Sequence, residues 1–185
     1  TLDTSIVAES EIITYVLVAV ALVLLVLMIS LASYVVPFLL LGNIGLAILY
    51  NMGTNVFIGE ISYITKAIAA VLQLGVTTDF SIFLYHKYEQ AKEKVKTNNE
   101  AMTLAIGDTL VSIAGSSLTT IAGFLALCTM QLTLGSDIGI VMAKGVFIGV
   151  LSTVTIFPAF LLVFNKSVFK TKHSPLIPSF NKMNI

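Results

Sequence analysis

The sequence is poor in charge, lacks arginine and tryptophan, and contains a single cysteine. Charged residues make up only 11% of its 185 residues, whereas a soluble domain carries about a quarter. An ordinary soluble globular domain is therefore excluded. The lone Cys128 excludes a disulfide framework and a cysteine-based metal site. The lysines fall into separate segments instead of one basic face, so we expect no nucleic-acid partner.

The sequence is instead rich in long apolar runs, and 57% of its residues are hydrophobic. Five charge-poor runs have about the length that crosses a lipid bilayer as a helix. They cover residues 12–31, 36–51, 62–86, 109–129 and 138–164. The sequence therefore predicts an all-α membrane protein, with a five-helix transmembrane bundle over residues 12–164 and a cytoplasmic tail or linker over residues 165–185.

The lysines are distributed unevenly between the two sides of the predicted bundle. Eight of the ten follow the third or the fifth run: Lys87, Lys92, Lys94, Lys96, Lys166, Lys170, Lys172 and Lys182. The connections at residues 52–61 and 130–137 contain no lysine. Because loops rich in lysine stay on the cytoplasmic side, we expect a multi-pass protein with its N-terminus outside and its C-terminus in the cytoplasm.

Asp79 lies inside the third apolar run and is the only acid between residues 67 and 86. An aspartate near the centre of a membrane helix costs about 2.5–3.5 kcal/mol on insertion scales, and such residues normally serve a function. Burial disfavours the charged carboxylate, so Asp79 could take up a proton on one side and release it on the other. The alternative is an aspartate that is hydrogen-bonded purely for packing.

The fourth run carries small and hydroxyl-bearing residues at steps of three and four: Ser112, Gly115, Ser116, Thr119, Thr120 and Gly123. This spacing places them on one helical face, and Ser116 lies at about the depth of Asp79. We expect Ser116 and Thr120 to offer their hydroxyls to the carboxyl group. The alternative is that the stripe only allows close helix packing.

Two further titratable residues are candidates. His86 follows Asp79 by seven residues and so lies on the same face, where it either extends a proton path or is simply interfacial. Lys144 lies in the fifth run and either extends its ammonium to the membrane surface or pairs with an acid in a missing partner. Its depth is too different from that of Asp79 for a direct pair.

Two patterns concern packing instead of chemistry. Gly145, Gly149 and Ser152–Thr153 form a second small-residue face in the fifth run, which predicts close contact with another helix. In the loop after the third run, Thr97 is a candidate N-cap for a short amphipathic helix along the inner surface.

Three segments together resemble MMPL-type transporters of the RND superfamily. The string "GVTTDFSIFLYHKY" (Gly75–Tyr88) is similar to the fourth helix of that family, Glu100–Leu127 to the following elbow and helix, and Leu151–Phe164 to the end of the sixth. Phe80 stands where many members have tyrosine, and phenylalanine cannot donate a hydrogen bond. The same block also resembles sterol-sensing domains and the membrane part of the SecD/SecF translocation factors.

This resemblance implies a proton-driven exporter of hydrophobic or lipid-like molecules, with Asp79 as the proton relay. The chain would be the second to sixth helices of one repeat, half of an RND-type membrane domain. Residues 1–11 would be the remnant of an extracytoplasmic domain. The implied partners are the bilayer and a second repeat or a second copy, in a bacterial plasma membrane, with a proton gradient in place of a cofactor and no enzymatic activity. A sterol-sensing-like lipid-binding bundle and a SecD/SecF-like translocation partner remain alternatives.

Overall fold

The structure, a computed structural model, describes residues 2–31, 33–57, 61–130 and 132–171, with side chains from Thr14 onward except those of residues 57 and 169. Its helices are α1 (Leu2–Ser30), α2 (Val35–Gly53), α3 (Tyr63–Lys92), α4 (Asn98–Leu127), α5 (Thr133–Val163) and α6 (Asn165–Lys170), with a 3₁₀ turn at Thr54–Phe57 after α2. The predicted all-α membrane bundle is confirmed. In the described part of the chain, the helices α2 to α5 are long and apolar enough to cross a membrane, and α1 adds a shorter apolar stretch, Thr14–Ser30.

The helices α3 and α4 run further into the lysine-rich loop than the apolar runs alone indicated. α3 continues past His86 to Lys92, and α4 begins directly after Thr97. The predicted N-cap is confirmed: the Thr97 side chain accepts a hydrogen bond from the backbone N–H of Glu100, which satisfies a donor that the first helical turn leaves free. The cap opens the long helix α4 itself, not a separate short one.

One end of the bundle is closed by an apolar cluster that joins all six helices. Its buried members are Leu27, Leu31, Val36, Leu40, Leu84, Tyr85, Tyr88, Ala91, Ala101, Met102, Ala105, Phe157, Leu161 and Val168. The α3–α4 loop and the end of α5 both lie at this end. The structure therefore brings the lysines that follow α3 to the same end as Lys166 and Lys170.

The short helix α6 packs back onto the corner between α1 and α2. The Ser33 hydroxyl donates to the Val168 carbonyl at 3.1 Å and lies 2.8 Å from the Thr171 hydroxyl. The first residues of the predicted tail are thus part of the folded bundle. The remainder of that tail, residues 172–185, and the side chains of the predicted extracytoplasmic remnant at residues 1–11 lie outside the described residues.

Helix α4 is much less covered than its neighbours. Only 11% of its most apolar stretch is buried, against 39–44% for α2, α3 and α5. Its buried residues, such as Ile113 and Ser117, face the bundle, while most of its remaining surface is exposed. One face of the molecule, formed by α4 and the adjoining side of α3, is consequently bare.

Candidate functional site

Asp79 lies on the bare face, where α3 and α4 form an open groove of about 350 Å³. Val76, Phe80, Phe83 and Ile113 line the groove with apolar surface, and Asp79 supplies its ionisable group. The Asp79 side chain is exposed. In a membrane, an exposed carboxyl on an apolar face has neither water nor protein around it, unless something covers the groove.

Two of the four hydroxyl residues predicted to support Asp79 share its groove, namely Ser112 and Ser116. Thr119 and Thr120 instead donate to carbonyls of their own helix, at 3.1 and 2.9 Å. The Thr120 hydroxyl hydrogen is thus used within α4, and a role of Thr120 beside the carboxyl group stays a prediction. Ser116 lies in the right place but makes no hydrogen bond to Asp79, and no other described side chain does so.

The glycines of the α4 stripe pack against no other helix in the described part of the chain. A Cβ atom built on Gly115 or Gly123 of α4, or on Gly75 of α3, would meet no atom within 4 Å. The alternative interpretation, a packing seam, is thus not realised between the helices of this chain. These glycines leave room beside Asp79 for a contact that comes from elsewhere.

His86 and Lys144 are both separate from the groove. His86 is exposed two turns beyond Asp79, and its ring centre lies 5.9 Å from that of Tyr85. The Lys144 ammonium donates to the backbone carbonyl of Asn51 at 3.0 Å and to the side-chain oxygen of Asn55. A cation at the carbonyl end of α2 is favourable because that end carries partial negative charge. The structure thus gives Lys144 a partner that neither interpretation had named.

A buried set of polar contacts between α3 and α5 was not predicted from the sequence. Its three rungs are Gln73 with Gly145, Thr77 with Gly149, and Ser81 with Thr153. The Gln73 amide donates to the Gly145 carbonyl at 3.2 Å, and the Ser81 and Thr153 hydroxyls lie 3.0 Å apart. We call this set the polar ladder. Each rung joins residues 72 apart in the chain, as expected for two parallel helices in constant register.

The glycines of the ladder are required by close approach. A Cβ atom on Gly149 would lie 2.5 Å from the Thr77 hydroxyl oxygen, and one on Gly145 would lie 3.1 Å from the Gln73 side-chain oxygen. The predicted packing face of the fifth run is therefore confirmed at these two positions. Its partner is α3, on the side away from Asp79.

Helix α2 joins the ladder at two levels through asparagines. Asn51 donates to the Gln73 side-chain oxygen at 2.7 Å, and Asn43 donates to the Ser81 hydroxyl at 3.5 Å. Ser152 donates to the Asn43 side-chain oxygen at 2.6 Å. The signal in the sequence was the four-residue spacing of Gln73, Thr77 and Ser81 in α3, which matches the four-residue spacing of the small residues Gly145, Gly149 and Thr153 in α5. Within the described part of the chain, no group of three or more His, Cys, Asp or Glu side chains is placed to hold a metal ion.

These features define a class of protein, a multi-helix membrane bundle with an acid, Asp79, on an uncovered apolar face. The sequence pattern described as "MMPL family" matches residues 1–176. The chain therefore belongs to the MMPL family.

Relatives from several organisms match the chain. It is 30% identical to the apo-petrobactin exporter of Bacillus anthracis, over 89% of this chain and 23% of the exporter. It is 28% identical to the hopanoid transporter HpnN of Rhodopseudomonas palustris, over 79% of this chain and 17% of that protein. It is 26% identical to the siderophore exporter MmpL5 of Mycobacterium tuberculosis, over 76% of this chain and 15% of that protein. The chain thus spans less than a quarter of the length of these relatives, and no solved structure matches it.

Proposed function

We propose that the chain is half of the membrane domain of a proton-driven exporter of hydrophobic or lipid-like molecules, with Asp79 as the proton carrier. The observation that carries this proposal is the position of Asp79 on the bare α3–α4 face, in a groove shared with Ser112 and Ser116. Charged side chains are rare within membrane segments and mark proton or substrate pathways. Asp79 also lacks a hydrogen-bond partner among the described residues, so its carboxyl group is not committed to a structural contact.

The energy available to such a carrier is sufficient to drive a conformational change. One proton moving across the membrane down the potential supplies about 2.3 kcal/mol per 100 mV. Binding and release of that proton on opposite sides would bias an inward-facing state against an outward-facing one. Neutralising Asp79 also removes its insertion cost, so the protonated form is the one suited to move through an apolar interface.

The bare face further supports a second repeat, or a second copy of this chain, as the partner across the groove. The relatives are more than four times as long as the aligned segment. A second bundle related by a pseudo-two-fold axis would cover α4 and enclose Asp79, as parallel repeats do in other transporters. We infer the cargo class from the relatives, which are an apo-petrobactin exporter, a siderophore exporter and a hopanoid transporter.

We also propose an orientation, with the N-terminus outside, the C-terminus in the cytoplasm and the protein in a bacterial plasma membrane. The described lysines that follow the third and the fifth run lie at the end of the bundle closed by the apolar cluster, and lysine-rich loops remain cytoplasmic. In this orientation α3 runs inward, and the carboxyl group of Asp79 lies on the cytoplasmic side of the ladder rung formed by Thr77.

The test is export by the complete protein in liposomes with an imposed pH gradient. The probes are apo-petrobactin, a hopanoid and a fluorescently labelled phospholipid. Asp79→Asn should insert at the native level but lose gradient-driven export, whereas Asp79→Glu, which keeps a titratable carboxyl group, should retain part of it. Asp137→Asn, which neutralises an acid outside the groove, is the matched control and should export normally.

Native export by Asp79→Asn would refute the proton-carrier role. Binding of a probe by the native protein without any gradient-driven movement would favour the sterol-sensing-like alternative, a bundle that recognises lipid without pumping it.

A further inference from the structure

The polar ladder contacts α3 on the side of the helix opposite to Asp79. At 100° per residue, the centre of the three α3 ladder residues lies about 160° around the helix from Asp79. Gln73, Thr77 and Ser81 are fully buried, whereas Asp79 is exposed on the groove. The rotation of α3 that brings the ladder residues against α5 is therefore the same rotation that directs Asp79 into the groove.

Gln73 makes the most connected contact of the ladder. Its side-chain oxygen accepts from Asn51 of α2 at 2.7 Å, and its side-chain nitrogen donates to the Gly145 carbonyl of α5 at 3.2 Å. Both groups of one amide are thus satisfied by two different helices. Because no water is present in the bilayer core to replace them, the amide favours one rotation and one axial position of α3.

The other two rungs of the ladder favour the same rotation and axial position of α3, but less strongly. Ser81 contacts the Thr153 hydroxyl and accepts from Asn43, so it joins the same three helices about two turns below Gln73. Thr77 meets the backbone of Gly149 closely, yet its buried hydroxyl oxygen has no hydrogen-bond partner among the described residues. The middle rung therefore limits how near the helices come, while the two outer rungs fix register.

We propose that Gln73 is a positioning residue for Asp79: it sets the rotation and depth of α3 that place the carboxyl group in the α3–α4 groove. Gln73 lies six residues from Asp79, about 9 Å along the helix, and does not line the groove. It acts through helix geometry and not through contact with the proton. The inference rests on the proposed function only where it concerns transport, since the placement of Asp79 can be measured separately.

The experiment measures the reaction of Asp79 with a hydrophobic carbodiimide. This reagent forms an adduct with a protonated carboxyl group inside a membrane, and mass spectrometry of the complete protein in liposomes quantifies the adduct on the Asp79 peptide against pH. In Gln73→Met, an apolar side chain of similar length removes both hydrogen bonds. The pH profile of labelling should differ from the native profile, because α3 no longer holds the carboxyl group at the same place in the groove. Gradient-driven export should fall several-fold.

The matched control is Thr109→Val on α4. Thr109 is also a fully buried polar residue, but its hydroxyl donates only to its own helix, at 2.5 Å to the Ala105 carbonyl. This variant should label with the native profile. If Gln73→Met does not insert, Ser81→Ala, which removes a single hydroxyl from the lower rung, is measured in its place with the same expected change.

Native labelling profiles in the inserted ladder variants would overturn the positioning role. The two proposals fail in different ways. Loss of export in Asp79→Asn together with native labelling in Gln73→Met would leave the proton carrier and remove the positioning residue. Native export in Asp79→Asn together with a changed labelling profile in Gln73→Met would refute the proton carrier and leave Gln73 as the positioning residue.

Discussion

Gly149→Ala tests the packing of the bundle where it is tightest. The added methyl group would lie 2.5 Å from the Thr77 hydroxyl oxygen and 3.4 Å from its methyl carbon, whereas unstrained carbon contacts lie at about 3.5–4.0 Å. Thr77 is fully buried on a helix, and its side chain branches at Cβ, so it cannot easily adopt another rotamer. We therefore expect α3 and α5 to be forced apart.

The expected cost follows from overpacking. Inserting a methyl group into a filled core destabilises a protein by about 1–3 kcal/mol. For a chain of this size each kcal/mol lowers the melting temperature by roughly 2–4 °C, so Gly149→Ala should melt about 2–12 °C below the native protein. Adding Thr77→Ala removes both atoms that the new methyl meets, and the double variant should recover at least half of this loss.

The assay is thermal unfolding of the purified protein in detergent, followed by circular dichroism. Gly45→Ala in α2 is the matched control, because a Cβ atom there meets nothing within 4 Å, and alanine favours a helix more than glycine does. It should melt at or above the native temperature. The reasoning is refuted if Gly149→Ala melts like Gly45→Ala, or if the double variant is no more stable than the single one.

Three further predictions follow from the ends of the helices. With the native cysteine replaced by serine, an impermeant thiol reagent on intact cells should label a cysteine at Val56, which is 82% exposed, but not one at Lys94; the opposite pattern would reverse the orientation. Thr97→Ala should lower the free energy of unfolding by about 0.5–2 kcal/mol through loss of the α4 N-cap, and Thr97→Ser, which keeps the cap, should not. Lys144→Met should cost up to about 2 kcal/mol in denaturant unfolding, because the carbonyl end of α2 loses its cation; an unchanged midpoint would contradict that role, and Lys66→Met, on an exposed position, is its control.

Composition and periodicity were enough to predict the membrane bundle, because apolar length alone decides whether a helix can cross a bilayer. The Thr97 cap and the glycine face of α5 were also predictable, since both depend on residues close together in the chain. The distance from Gly145 to its neighbours in α2 and α3 was not, because it depends on how three helices meet.

The surroundings of Asp79 were predicted only in part. Ser116 lies in its groove, as equal depth by helical rise implied, and Ser112, one turn away on the same face, lies there too. The hydrogen bond from Thr120 to its own helix was not predictable, because residue spacing does not say whether a hydroxyl bonds across a contact or back to its own helix. The polar ladder was not predicted because glutamine and asparagine are uncharged. In an apolar run they do not indicate a functional site as an intramembrane acid does.

The most direct test of the proton-carrier role is a measurement of protons instead of cargo. The complete protein is reconstituted into liposomes that contain a trapped pH-sensitive dye, and apo-petrobactin, the hopanoid or the labelled phospholipid is added as the cargo probe. We expect at least one probe to trigger a proton flux through the native protein. Asp79→Asn should abolish this flux, whereas Asp137→Asn should not. A cargo-triggered proton flux of native size in Asp79→Asn would contradict the proton-carrier role.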